Sequence, residues 1–429
     1  MLRPKAMTNF ELSVRFFLQL AVIIAACRGV GLLARWVGQP QVVGEMIAGL
    51  ILGPSLLGRV APELQAWIFP RESLGILYAI SQVGMALYMF MVGMEFEPGF
   101  VRSRLRSAAA VSAAGMIVPF ALGCALVVGL AGLSLFAPDV STAERMLFLG
   151  AAMSITAFPM LARIIYERGL ANTPLGTLAL AAGAIDDAAA WCILALVLAS
   201  FGNEPSLALL AIGGGVIYTG AMIVLGRPAL RLLDRAARRS GHVSSGLFSV
   251  VLVLVMFCSW VTDSIGIYAV FGAFVLGAVM PRGPLSRAIT ERLEPLVTSF
   301  LVPLFFVYSG LNTQIGLLDS PLLWAVTLLV VLAACLGKGV ACWAAARLSG
   351  SSAYEALALG VLMNARGMME LIILNIGLER GIITPTLFAI MVLMAIATTL
   401  ITVPLFDLIS RRYQEPADVA AVPAGGVVP

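Results

Sequence analysis

The chain has 429 residues, of which 60% are hydrophobic and only 12% charged, against about 25% charged in an ordinary soluble domain. A mean hydropathy of +1.00 cannot coexist with a polar surface all round, which excludes a soluble domain and leaves a polytopic membrane protein. The net charge of +4 reflects arginines in connections rather than a basic patch, so no nucleic-acid partner is expected.

Strand alternation is absent and the apolar runs are long, so the fold class is all-α rather than a β-barrel. Taken in order, the apolar segments fall at 13–36, 41–58, 73–94, 107–136, 146–166, 175–201, 206–226, 246–262, 264–280, 297–315, 321–347, 353–377 and 384–408, about thirteen spans. The first, preceded by Arg3 and Lys5 and passing Ile24-Ala25-Ala26-Cys27, mimics a lipoprotein leader, but its apolar character continues to Val37 and predicts a first membrane helix. Six cysteines (Cys27, Cys124, Cys192, Cys258, Cys335, Cys342) lie inside apolar runs without CxxC spacing and read as small core residues.

Seventeen arginines, among them Arg35, Arg102, Arg104, Arg163, Arg168 and Arg282, occupy the odd-numbered connections and the C-terminus, against seven basic residues on the other side. The positive-inside rule then puts the C-terminus in the cytoplasm and the N-terminus outside. His242 follows Arg235, Arg238 and Arg239 in a loop on the basic side and reads as solvated. Residues 409–429 read as a disordered cytoplasmic tail.

Spans four to six and eleven to thirteen form two triplets separated by an odd number of spans, so one is inverted relative to the other. The middle helix of each is interrupted, at Ser154-Ile155-Thr156-Ala157-Phe158-Pro159 and at Met363-Asn364-Ala365-Arg366-Gly367. Interrupted helices at matching places in inverted halves point to a transport site at the bilayer midplane. Unwound turns free carbonyls for a cation, with Ser154, Thr156 and Asn364 as side-chain candidates.

Asp186 and Asp187 sit in an otherwise uncharged run, and Lys338, one of two lysines, is the single charge of span eleven. Each charge at bilayer depth costs roughly 2.5–3.5 kcal/mol, about 9 kcal/mol for the three. Neighbouring helix positions point about 100° apart, so one aspartate faces the ion path and the other a packed partner, for which Lys338 is the obvious counter-ion. Burial and pairing shift the carboxylates in opposite directions, so an entering cation competes with protons there. That coupling is antiport. We assign Asp187 as the main cation and proton ligand and Asp186 as the partner of Lys338, although rotation alone does not say which is which. A buried ion pair would explain two of the three charges and leave one carboxylate over. Arg366 and Glu370, four residues apart, read as a supporting structural pair, with Glu370 as a second proton carrier the alternative. Glu45 either pairs with Arg28 or lines an access funnel; Asp263, Glu95 and Glu97 read as membrane-boundary residues. No cofactor motif and no enzyme motif is present. The adjacent aspartates cannot converge as an aspartyl protease needs. A monovalent cation channel or uniporter remains the alternative, without a TVGYG-like filter to support it.

The runs QPQVVGEMIAGLILGPSLLG (39–58), MFMVGMEFEP (89–98), SITAFPMLARI (154–164), GAIDDAAAW (183–191), PLFFVYSGL (303–311) and LMNARGMMELIILNIG (362–377) carry a family resemblance. Across them the chain resembles the monovalent cation:proton antiporter family, particularly the branch of bacterial sodium/proton antiporters and plant cation/proton exchangers. The resemblance implies an elevator-type homodimer in a bacterial inner membrane, exchanging Na⁺ or K⁺ for protons, whose two interrupted helices cross at the ion site. It divides the chain into a scaffold and dimerisation panel (1–100 and 243–317), a transport core (101–202 and 318–408) and a linker helix with a basic loop (203–242). It makes Asp187 the essential aspartate and Lys338 the basic residue of paired-aspartate members. Some plant-type relatives have asparagine before that aspartate, so Asp186 leaves the stoichiometry open. The nucleotide-binding tail of glutathione-gated relatives is not seen, and such gating is not expected.

Overall fold

The computed structural model describes residues 8–95, 105–170, 173–200, 205–240, 242–265 and 268–419. Arg3, Lys5, Glu97, Arg102, Arg104, the Cys192 side chain and the last ten residues of the tail lie outside the described residues. Helix α1 (Asn9–Trp36) starts at a capping box in which Thr8 and Glu11 satisfy each other's backbone donors. There follow α2 (Gln41–Leu52), the short α3 (Leu57–Val60) and α4 (Pro62–Ile68), and α5 (Arg71–Glu95). Next come α6 (Leu105–Gly129), α7 (Thr142–Ser154), α8 (Phe158–Glu167) and α9 (Pro174–Ser200). Helix α10 (Pro205–Ala221) passes through a π-turn into α11 (Arg227–Ser240), and α12 (Ser245–Ser264) and α13 (Ala269–Val279) follow. Helix α14 (Pro284–Leu296) continues through a second π-turn into α15 (Val302–Leu311). The chain closes with α16 (Pro321–Leu348), α17 (Ala353–Leu362), α18 (Met368–Glu379) and α19 (Pro385–Val419).

Among the described residues, each apolar segment of the sequence is occupied by a helix or a pair of helices. Nine helical stretches there are individually long and apolar enough to cross a bilayer. This is an all-α membrane protein. Large apolar side chains such as Phe17, Leu33, Phe257 and Trp260 point outward, as a hydrocarbon surrounding requires. Helix α19 runs on to Val419, past residue 409 where the sequence suggests a disordered tail. The five described cysteines are free, and His242 and Asp263 are exposed, in keeping with their sequence reading.

The helices pack in two groups. One contains α1, α2, α5, α12, α13 and α15; the other contains α6 to α9 and α16 to α19. Glycines set the closest approaches within the first group: Gly49 lies against the Phe306 carbonyl and Gly53 against that of Gly310, while Gly93 and Gly277 bring α5 and α13 into backbone contact. The second group is built from two similar runs of four helices, α6 to α9 and α16 to α19. In each, the first helix crosses the second at a glycine pair. A Cβ on Gly123 would meet the Gly150 Cα at 2.7 Å, and one on Gly360 would meet the Gly339 oxygen at 2.5 Å. In each, the second helix starts at a Ser-x-x-Glu capping box, Ser141 with Glu144 and Ser352 with Glu355. Each second helix then breaks, at 155–157 and at 363–367.

Candidate ion-binding site

The two breaks touch. The Ala157 N–H donates to the Ala365 carbonyl at 3.1 Å, joining the unwound turn after α7 to the one after α17. A helix that stops inside a bilayer leaves its last carbonyls without donors, and its negative dipole end without compensation. Here two cationic side chains supply both. The Arg366 guanidinium donates to Ala152 O at 3.2 Å and to Met153 O at 2.6 Å, and the Lys338 ammonium donates to Ser154 O. The end of α7 is therefore capped by a residue from the other break and one from α16.

Lys338 Nζ also lies 3.3 Å from Asp186 Oδ2, and the Thr156 hydroxyl donates to that same oxygen at 2.6 Å. Asp186 is thus the aspartate turned to Lys338, as the sequence suggests. Asp187, one residue on along α9, points to a different sector, and both carboxylates are fully buried. Arg366 meets Glu370 at 3.3 Å, one turn along α18, with both groups buried. The Asp186 Oδ1 and Glu370 Oε1 atoms are buried acceptors without a hydrogen-bond donor, the kind of oxygen a proton or a small cation can satisfy.

The remaining candidates separate. The Ser154 hydroxyl turns back to Ala151 O at 2.9 Å, so Ser154 enters the cluster through its carbonyl. Asn364 donates to Gly360 O at 2.9 Å and lines an apolar crevice of about 260 Å³ between α16, α17 and α19, together with Thr398 and Thr402. Its side chain is therefore not among the groups around Asp186, because the turn after α17 carries it toward Gly339 instead. Thr399 is a residue that sequence reasoning missed. Its hydroxyl accepts from Arg366 N at 3.1 Å and donates to Arg366 O at 2.8 Å, clamping the broken turn to α19. The trace of it in the sequence is the threonine cluster 398, 399 and 402 in an otherwise apolar span.

A cavity of about 520 Å³ leads to the crossing and is lined there by Ala157 and Met369. Its walls carry Glu45, Glu95 and Glu294 alongside Arg28, Arg35 and Arg163. Glu45 is buried and accepts from Gln41 Nε2 at 2.8 Å, while Arg28 reaches Ser299. Of the two readings open for Glu45, the funnel is the one the geometry carries. Glu95, exposed at the end of α5, lines the same cavity.

This arrangement has known counterparts. The transmembrane profile of the sodium/hydrogen exchangers matches residues 20–408. The Na⁺/H⁺ antiporter NhaS4 of Synechocystis sp. is 44% identical over 404 residues, covering 92% of this chain and 96% of that protein. Cation/H⁺ antiporter 18 of Arabidopsis thaliana is 37% identical over 393 residues, 90% of this chain but only 48% of the plant protein, so the chain spans about half the length of that relative. The solved sodium proton antiporter MjNhaP1 of Methanocaldococcus jannaschii superposes with a TM-score of 0.64 over 91% of this chain and 96% of that one, at 16% identity, and so shares its fold. With crossed broken helices, a profile match over nearly the whole length and a near-full-length relative, the chain belongs to the monovalent cation:proton antiporter family, a family of transporters and not of enzymes.

Proposed function

We propose that this protein is a secondary active antiporter exchanging Na⁺ or K⁺ for protons by alternating access. The observation that carries the proposal is a buried carboxylate cluster at the crossing of two broken helices, approached by a polar-walled cavity. Asp187 is the exchanging carboxylate, binding either a proton or the dehydrated cation. Asp186 is its tuned neighbour. A cation arriving beside it competes with Lys338 for Asp186, and Lys338 keeps the Ser154 carbonyl when that bond weakens. Proton loss and cation entry are linked because the two occupy the same low-dielectric oxygens.

The helix group of α6 to α9 and α16 to α19 acts as the moving transport core, and the group of α1, α2, α5, α12, α13 and α15 as the scaffold and dimerisation panel of a homodimer. Arginine placement makes the cavity side the cytoplasm, so the conformation is inward-open in a bacterial inner membrane. The test is proton flux in reconstituted vesicles challenged separately with Na⁺, K⁺ and Li⁺. Cation-induced collapse of ΔpH that disappears in Asp187→Asn supports exchange and names the ion. Cation currents without proton movement would replace antiport with a channel.

A further inference from the structure

Three of the helices that line the cavity meet again well beyond it. Helix α5 contributes Tyr88 to the cavity, α15 contributes Val302 and α18 contributes Met369. Ten residues back along α5 lies Tyr78, six residues on along α15 lies Tyr308, and ten residues on along α18 lies Glu379. At the helical rise these points are about 9–15 Å from the cavity, toward the opposite face. There the Tyr308 hydroxyl donates to Glu379 Oε1 at 3.2 Å. The Tyr78 ring packs on that of Tyr308 with centroids 5.3 Å apart. One turn deeper in the same seam, Asn375 Nδ2 donates to Ser309 Oγ at 3.2 Å.

The Tyr308–Glu379 and Asn375–Ser309 bonds join α18 to the other helix group, and the Tyr78 ring backs Tyr308 from within that group. Within each group several of the closest approaches, at Gly49, Gly93, Gly123 and Gly360, are backbone against backbone, which cannot part without unfolding the packing. Along this seam they are side-chain hydrogen bonds, which can break and re-form. We propose that the Tyr308–Glu379 clasp, backed by the Tyr78 ring, and the Asn375–Ser309 pair form the outer latch of the transport cycle, closing the face opposite the cavity and having to release before the ion site can open there. The proposal rests on the alternating-access reading.

Two measurements on the full chain in vesicles or nanodiscs test it. Tyr308→Phe keeps the ring and removes the donor, and Glu379→Ala removes the acceptor. Because a hydrogen bond to a charged group is lost, each is expected to speed hydrogen–deuterium exchange of the outer halves of α15 and α18 about tenfold, with α6 and α16 unchanged. In the second, Ser309→Cys/Asn375→Cys is joined by a reducible one-carbon bis-thiosulfonate, with the parent chain treated in parallel. Linking is expected to stop cation–proton exchange and reduction to restore it. Unaltered amide protection in both latch variants, or full exchange with the link intact, overturns the latch. Absence of cation–proton exchange in the parent chain would overturn the antiport reading instead, and the amide measurement would still judge the clasp.

Discussion

Asp186 Oδ2 is held from two sides, by the Lys338 ammonium at 3.3 Å and the Thr156 hydroxyl at 2.6 Å. Removing one partner of a buried pair leaves an uncompensated charge, typically about 3–5 kcal/mol, whereas replacing both with neutral groups is far milder. Lys338→Met is therefore expected to lower the melting temperature strongly, and Asp186→Asn/Lys338→Met to recover much of the loss. A melting series on the two singles and the double checks this, and additive losses would mean the pair is not coupled. The pairing was legible in the sequence because Lys338 and the two aspartates are charges isolated in apolar runs. The place of Asn364 was not: a broken turn has no fixed rotation, so nothing in the sequence said its amide would point to Gly360 and an apolar crevice.

Between residues and the whole molecule, the broken helices differ in how their ends are satisfied. The end of α7 receives two donors from Arg366 and one from Lys338, while the end of α17 is bonded by its own Asn364 amide. Arg366→Lys places one ammonium where a planar fork spans two carbonyls and Glu370, so it is expected to behave much closer to Arg366→Gln than to the parent in melting and in exchange rate. Rescue by lysine would show that charge alone is what α7 needs. The glycine crossings predict a second element-scale effect. Gly123→Val and Gly360→Val each force a branched side chain into a backbone contact and should destabilise by about 1–3 kcal/mol or more, seen as a lower melting temperature. Helix positions and both breaks were legible from hydropathy, proline and polar interruptions. The capping role of Arg366 was not, because its partners lie more than 200 residues away and are carbonyls, which no side-chain pattern reports.

At the scale of the whole molecule, the cavity opens on the side that carries Arg28, Arg35 and Arg163. A bulky impermeant thiol reagent on Ser299→Cys, in the cavity wall, is expected to block exchange when applied from the arginine-rich side and to have no effect from the other. Equal block from both sides would mean that the cavity is not the entry route. Sequence carried the succession of apolar helical segments, but not the cavity, since that is a property of the conformation and not of the spans. The fully buried charges of the crossing are Asp186, Asp187 and Glu370 against Lys338 and Arg366, three carboxylates and two bases. With all five groups ionised and no occupant, the cluster carries one excess negative charge, and carrying that through a low-dielectric passage is costly. One proton or one monovalent cation brings it to neutrality, and both at once would overshoot. Under the proposed exchange the empty carriage would be held back at either face while the singly loaded one crosses, so that the arithmetic of five side chains would guard the membrane against leak.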